Sequence, residues 1–276
     1  MAITQKTIKG YKVWFDPDDN GIGLRLDYTN GNREPGFQWM VKKKAIGTAF
    51  DIGANIGWIS LLMSETCDKI IAFEPDPRNY RFLVMNTRIN ALHKKIFPSH
   101  LAITDNHGQC GMSFAKRPNL NMVDADSKKK VDCTTLDRYC DENKICPVVV
   151  KMDIEGGETR AVRGGWNMFS NADKMRIFIE FHPEKYSPSN DFGKCLSDLV
   201  SNGYNIKWIE NAKGKIGHFK KYNCIKKFNG FPRAIFKGVP NDKAIEMICI
   251  LDRDGKKIVR SAMIEKGRDL FYEHSL

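Results

Sequence analysis

The 276-residue sequence contains no apolar run of the roughly eighteen residues that a membrane-spanning helix requires. Its opening, MAITQKTIKGYK, also lacks the apolar stretch of a secretory leader, so the expectation is a soluble, cytoplasmic chain with no membrane span. Cysteines are present but never grouped: Cys67, Cys110, Cys133, Cys140, Cys146, Cys195, Cys224 and Cys249 form no CxxC pair and no Cys/His set at zinc spacing. They read as reduced structural thiols. There is no internal repeat, no low-complexity tract and no G-x-G-x-x-G fingerprint after a strand, which argues against NAD or FAD. Acid is scarce between residues 205 and 238, where eight Lys and Arg233 face only Glu210; nine less one leaves +8 of the chain's net +11. That stretch is either a patch for a polyanion, such as nucleic acid, an anionic glycan or a phosphorylated substrate, or a solvated surface.

What is present is enough apolar residue, 42%, to fill the core of one α/β domain with additions at its ends. Short alternating bursts (Tyr11, Val13, Phe15, then Ile22, Leu24, Leu26) around DPDDNG predict an N-terminal β-hairpin, and residues 35–44 a lead-in helix. Strands are expected over 47–52, 69–73, 96–101, 148–152, 176–181 and 205–209. Helical patterns separate most of them, which demands parallel pairing in a doubly wound, Rossmann-like sheet with helices on both faces. The strand at 233–237 follows a long loop and can enter antiparallel. The chain divides into a hairpin and lead-in helix (1–46), a catalytic domain (47–239) and a C-terminal extension (240–276) with a hairpin at DRDG and a terminal helix.

Four motifs fall at strand ends. Asp51-Ile52-Gly53-Ala54-Asn55-Ile56-Gly57 joins a strand to a helix; its glycines allow a tight turn and close ligand approach, and the helix start offers free N–H groups. Glu74, at the tip of the next strand, can accept both hydrogen bonds of a ribose diol; after it come Pro75, Asp76 as helix cap and Pro77 at the first helical position. Lys151-Met152-Asp153-Ile154-Glu155-Gly156-Gly157-Glu158 puts three carboxylates at the crevice end of a central strand, where they can hold an ammonium, orient an acceptor or take its proton. Glu180-Phe181-His182-Pro183 offers a histidine that can act as base near neutral pH. The acid trio could also hold a divalent cation, but nothing in the sequence places a His or further acid beside it, so no metal is assigned.

Together, FDIGANIG, FEPDPRNYRFLVMN, VDCTTLDRY, VVVKMDIEGGE and IFIEFHPE resemble the FkbM family of S-adenosylmethionine (SAM)-dependent methyltransferases, from about residue 47 to about 210. The resemblance implies a sheet of seven strands with the last antiparallel, SAM as cofactor, and methyl transfer to a hydroxyl of a small molecule or sugar. It also implies that Asp51, Gly53, Ala54, Asn55 and Gly57 line the methionine end, Glu74 with Pro75 and Asp76 the ribose, and Ala102 and Ile103 the adenine. Asp153, Glu155 and Glu158 then face the acceptor or the SAM amino group. The base candidates are Asp153 and His182, with Glu155 beside them; Glu158 and His182 are expected at the acceptor. Two alternatives stay open: an RNA methyltransferase that uses the basic stretch, and a non-catalytic SAM- or RNA-binding protein.

Overall fold

The computed structural model describes residues 3–19, 26, 29–31, 35–42, 47–114, 122–124, 127–230 and 232–267. Strands β1 (Thr4–Ile8) and β2 (Tyr11–Phe15) form an antiparallel hairpin turned at Lys9 and Gly10. The predicted hairpin thus lies one strand earlier than DPDDNG, and Ile22 and Leu24 lie outside the described residues. After α1 (Pro35–Val41) come β3 (Thr48–Ile52), α2 (Trp58–Met63), β4 (Lys69–Phe73), α3 (Pro77–Ile89) and β5 (Ile96–Ser99). Then β6 (Ala102–Ile103), β7 (Gly108–Ser113), β8 (Met122–Val123) and β9 (Lys130–Thr134) make a small side sheet, followed by α4 (Leu136–Asn143). The chain continues through β10 (Val149–Met152), α5 (Glu158–Gly164), α6 (Trp166–Asn171), β11 (Met175–Glu180), α7 (Phe192–Ser201), β12 (Asn205–Asn211), β13 (Asn223–Lys227), β14 (Ala234–Lys237), α8 (Asn241–Cys249) and β15 (Val259–Lys266).

The main sheet has nine strands, not seven, in the order β13-β14-β12-β15-β11-β10-β3-β4-β5. From β11 to β5 the pairing is parallel, whereas β15, β12, β14 and β13 pair antiparallel. The segment after residue 239 is therefore no appendage: β15 inserts between β11 and β12 in the middle of the sheet. DRDG does form a tight turn, with the Gly255 N–H donating to the Asp252 carbonyl. The helix precedes that turn as α8, a strand follows it, and residues beyond 267 lie outside the described ones.

Side-chain alternation splits the core between the two sheet faces. Phe50, Ile52, Val150, Met152, Ile177 and Ile179 pack with Ala161 and Val162 of α5, Leu196 and Leu199 of α7, and Met247 and Ile248 of α8. Ala49, Ile70, Ala72, Val149 and Phe178 pack on the other side with Leu61 to Met63 of α2 and Phe82 and Leu83 of α3. The hairpin joins this second face: Ile8, Val13 and Phe15 are buried there. Asn86 on α3 and Asn90, which caps the C-terminal end of that helix, bond the free edge of β2, accepting from the Trp14 and Lys12 N–H groups at 2.6 and 2.9 Å and donating to their carbonyls at 3.1 and 2.7 Å.

Candidate active site

Parallel strands β4, β3 and β10 end side by side, and the loops leaving them wall a cleft that opens to solvent. Gly53, Ala54 and Asn55 line it from β3; Glu74 and Pro75 from β4; Leu101, Ala102, Ile103 and Thr104 from β6; Asp153, Ile154 and Glu155 from β10. Gln38, Trp58, Lys151, Arg160 and Glu180 also line it.

The glycine turn is shaped by packing within the protein. Gly53 has φ +77°, and a Cβ there would stand 2.0 Å from the Asp153 carbonyl oxygen, so this glycine admits the neighbouring strand's loop. Gly57, at φ +87°, would place a Cβ 2.6 Å from Leu83 Cδ1 and is needed for the seating of α2 on α3. Gly57 does not line the cleft, nor does Asp51, which is fully buried on the sheet face below α2. The Asp51 carboxylate pairs with Lys151 Nζ at 2.9 Å and accepts from Ser60 Oγ. Asp51 and Gly57 thus support the turn from behind, where the resemblance put them at the methionine end.

Lys151 heads the third motif, and the structure gives it a role that the motif does not. It sits in an apolar strand, 2% exposed, and its ammonium also donates to the carbonyls of Gly53 at 2.7 Å and Ile52 at 3.3 Å, clamping the turn to β10. Its signal in the sequence is a lysine inside VVVKMDI, since a charge buried among strand residues must be paired.

Glu74 is buried at the mouth of the turn. Oε2 accepts from the Asn55 N–H at 2.7 Å and Oε1 from the Asp76 N–H at 2.9 Å. Each carboxylate oxygen keeps a lone pair for a further donor, which fits the two hydroxyls of a ribose. Burial, only partly offset by these N–H bonds, pushes the carboxyl up to about 7. Asp76 itself faces α3 and not the cleft: as predicted from sequence, it caps that helix, accepting from Arg78 N–H at 2.6 Å and Asn79 N–H at 3.0 Å, with Pro77 at the first helical position.

The acids of β10 separate into two groups. Asp153 and Glu155 line the cleft, whereas Glu158 is fully buried and accepts from His182 Nδ1 at 2.9 Å. Its expected contact with the acceptor gives way to holding the imidazole. His182, 3% exposed, stands behind the two cleft acids and does not reach the wall itself. Its Nε2 faces Glu155 Oε2 at 3.5 Å, Asp153 Oδ1 at 3.8 Å and Glu180 Oε1 at 4.0 Å. Glu180 is also paired with Arg260 at 2.9 Å and Lys257 at 3.3 Å. Burial lowers the His182 pKa, but the Glu158 hydrogen bond and the surrounding carboxylates outweigh it and raise it to about 10. Burial, then the Asp153 charge, pushes Glu155 up to about 7. Sequence reading set no histidine beside the acids; the fold brings one within 4 Å.

The cleft lies at the carboxyl ends of the parallel strands, where open α/β sheets bind their ligands. The profile described as Methyltransferase FkbM domain matches residues 51–206, more than half of the chain, and the chain belongs to that family. Among solved structures it is similar to the methyltransferase FkbM from Methylobacillus flagellatus KT (15% identity, TM-score 0.41), covering 71% of this chain and 44% of that one. The chain thus spans less than half the length of that protein. It is also similar to M. jannaschii TYW2, solved with AdoMet (14% identity, TM-score 0.43, 96% and 86% covered). A third similar structure is precorrin-6y C5,15-methyltransferase from Geobacter metallireducens GS-15 (11%, 0.42, 86% and 89%). No curated protein sequence matches the chain. Among the described residues no helix is long and apolar enough to cross a membrane.

Proposed function

We propose that this domain methylates a hydroxyl of a small molecule or glycan. The observation that carries the reading is that Asp153 and Glu155 stand on the same cleft wall as Gly53 and Glu74, so acceptor acids and cofactor residues share one space. SAM supplies a methyl group on a positively charged sulfur. Glu74 would hold the ribose hydroxyls, the Gly53 to Asn55 turn the methionine end, and Ala102 and Ile103, both nearly fully buried, the adenine face. In-line attack needs the acceptor oxygen held about 3 Å from the methyl carbon and partly deprotonated. Asp153 and Glu155 would orient that hydroxyl and receive its proton, a role that moves from His182 to the acids in front of it. His182 and Glu158 are then positioning residues.

The place of the basic stretch supports a small acceptor over RNA. Lys226 and Lys227 lie on β13, the outer edge of the sheet, five strand spacings from β10, or about 24 Å. Lysines on an exposed edge strand block pairing with another chain, a use that needs no ligand. Lys215, by contrast, is bound to Asp252. The test is to incubate the protein with methyl-labelled SAM and separate pools of hydroxylated small molecules, glycans and short RNA. Label on oxygen in the first two pools supports the reading; label in RNA alone overturns it.

A further inference from the structure

We infer that Asp153, Glu155 and His182 form a binding site for one divalent cation of the Mn²⁺ or Zn²⁺ kind. One ligand atom from each lies within 4.8 Å of the others. The spacings of Nε2 to the two carboxylate oxygens, 3.5 and 3.8 Å, are too long for good hydrogen bonds. They are close to the separation of about 3.0 to 3.4 Å between two ligands that share an ion at about 2.1 Å, so each acid needs only a short inward shift toward Nε2 to share an ion with it.

The imidazole is prepared for this role. It is buried, its Nδ1 is engaged by a fully buried carboxylate, and Nε2 makes no hydrogen bond among the described residues. A carboxylate on the far nitrogen is the arrangement that orients histidine toward a metal, and a bound ion takes the place of the proton on Nε2, which leaves to solvent. Asp153 and Glu155 are the acids whose oxygens group with Nε2, while Glu180, at 4.0 Å, is paired with Arg260 and Lys257. One imidazole with two carboxylates suits Mn²⁺ or Zn²⁺ better than an all-oxygen Ca²⁺ cage.

Both acids line the cleft, so the ion's remaining positions face the space assigned to the acceptor. If the methyl-transfer reading holds, those positions would take the acceptor hydroxyl oxygen, with the second oxygen of each carboxylate still available for its proton. The site itself stands on the three side chains and does not require that reading.

The test is binding of Mn²⁺ alone, and of Zn²⁺ alone, to full-length protein stripped with chelator, followed by calorimetry and, for Mn²⁺, by electron paramagnetic resonance. The expected result is one ion per chain, with nitrogen coupling in the pulsed Mn²⁺ spectrum. Asp153→Asn and His182→Gln should each lower affinity at least 100-fold, His182→Gln should remove the nitrogen coupling, and Glu158→Gln should weaken binding about 10- to 100-fold. Folded wild-type protein that binds neither ion at millimolar concentration overturns the site, as does binding that none of the three substitutions changes. S-adenosylhomocysteine (SAH) is titrated into the same samples: SAH binding without metal leaves methyl transfer standing and removes the cation, and metal binding without SAH does the reverse.

Discussion

Lys151 and Asp51 stand directly opposite each other on adjacent parallel strands, joined by an ion pair of 2.9 Å with both side chains buried. The pair ties the glycine turn to the acid-bearing strand, because the same ammonium holds the Gly53 carbonyl at 2.7 Å. Removing one member of a buried pair leaves the other charge uncompensated, at about 3 to 5 kcal/mol. Lys151→Met and Asp51→Leu should each lose that much in urea unfolding, and the double variant should recover part of it. Independent, additive losses would show that the two do not act as a pair.

Glu74 should make SAH binding depend on pH. With its carboxyl pushed up to about 7 by burial, the cofactor-free site is partly protonated near neutrality, and hydroxyl donors favour the ionised form. Affinity should therefore rise as pH increases from 6 to 8, with a proton released on binding, measured by calorimetry in buffers of different ionisation enthalpy. Glu74→Gln should abolish proton release and weaken SAH by about 1.5 to 3 kcal/mol.

The same group gives a stability signature of opposite sense. A carboxyl whose folded pKa lies above its unfolded value binds its proton more tightly when folded, so its contribution is full below about 4.5 and is lost as pH rises through about 7. Ligand-free protein should lose unfolding free energy across that window relative to Glu74→Gln. Parallel pH profiles of the two proteins would rule the effect out.

Gly53→Ala should be worse than Gly57→Ala. The first drives a methyl group into a backbone oxygen at 2.0 Å, which cannot move without shifting β10's loop; the second meets the end of a leucine side chain. Both positions have positive φ and share a strain of about 1 to 3 kcal/mol. Unfolding curves should rank them in that order, and SAH affinity should fall more for Gly53→Ala.

Asp153→Asn should leave SAH affinity within a few-fold of wild type while lowering kcat by about 10²- to 10⁴-fold, once an acceptor is in hand. Wild-type turnover in a folded Asp153→Asn protein would remove this acid from the reaction.

Changing Lys226 and Lys227 to Val should leave SAH binding unchanged but promote self-association, because the bare edge of β13 loses its charges. Light scattering at low and physiological salt measures this. A variant that stays monodisperse would count against edge protection.

The sequence by itself determined the elements that rest on local patterning. The strand-helix alternation from residue 48 to 211, the cap at Asp76, and the position of each motif at a strand end follow from periodicity and turn chemistry within a few residues, and the motif series carried the family. It did not determine the strand order. Whether residues 259–266 hang outside or enter between β11 and β12 depends on pairing with strands far away in sequence, and an apolar run reads the same in either place. The site divided in the same way. Lys151, Asp51, Glu158 and His182 were all visible as residues, but burial decides whether an ionisable group meets solvent, a ligand or another charge. Only the tertiary structure put Asp51 behind the turn, Glu158 beneath the imidazole, and His182 against Asp153 and Glu155, because those contacts join chain segments that no local interaction brings together.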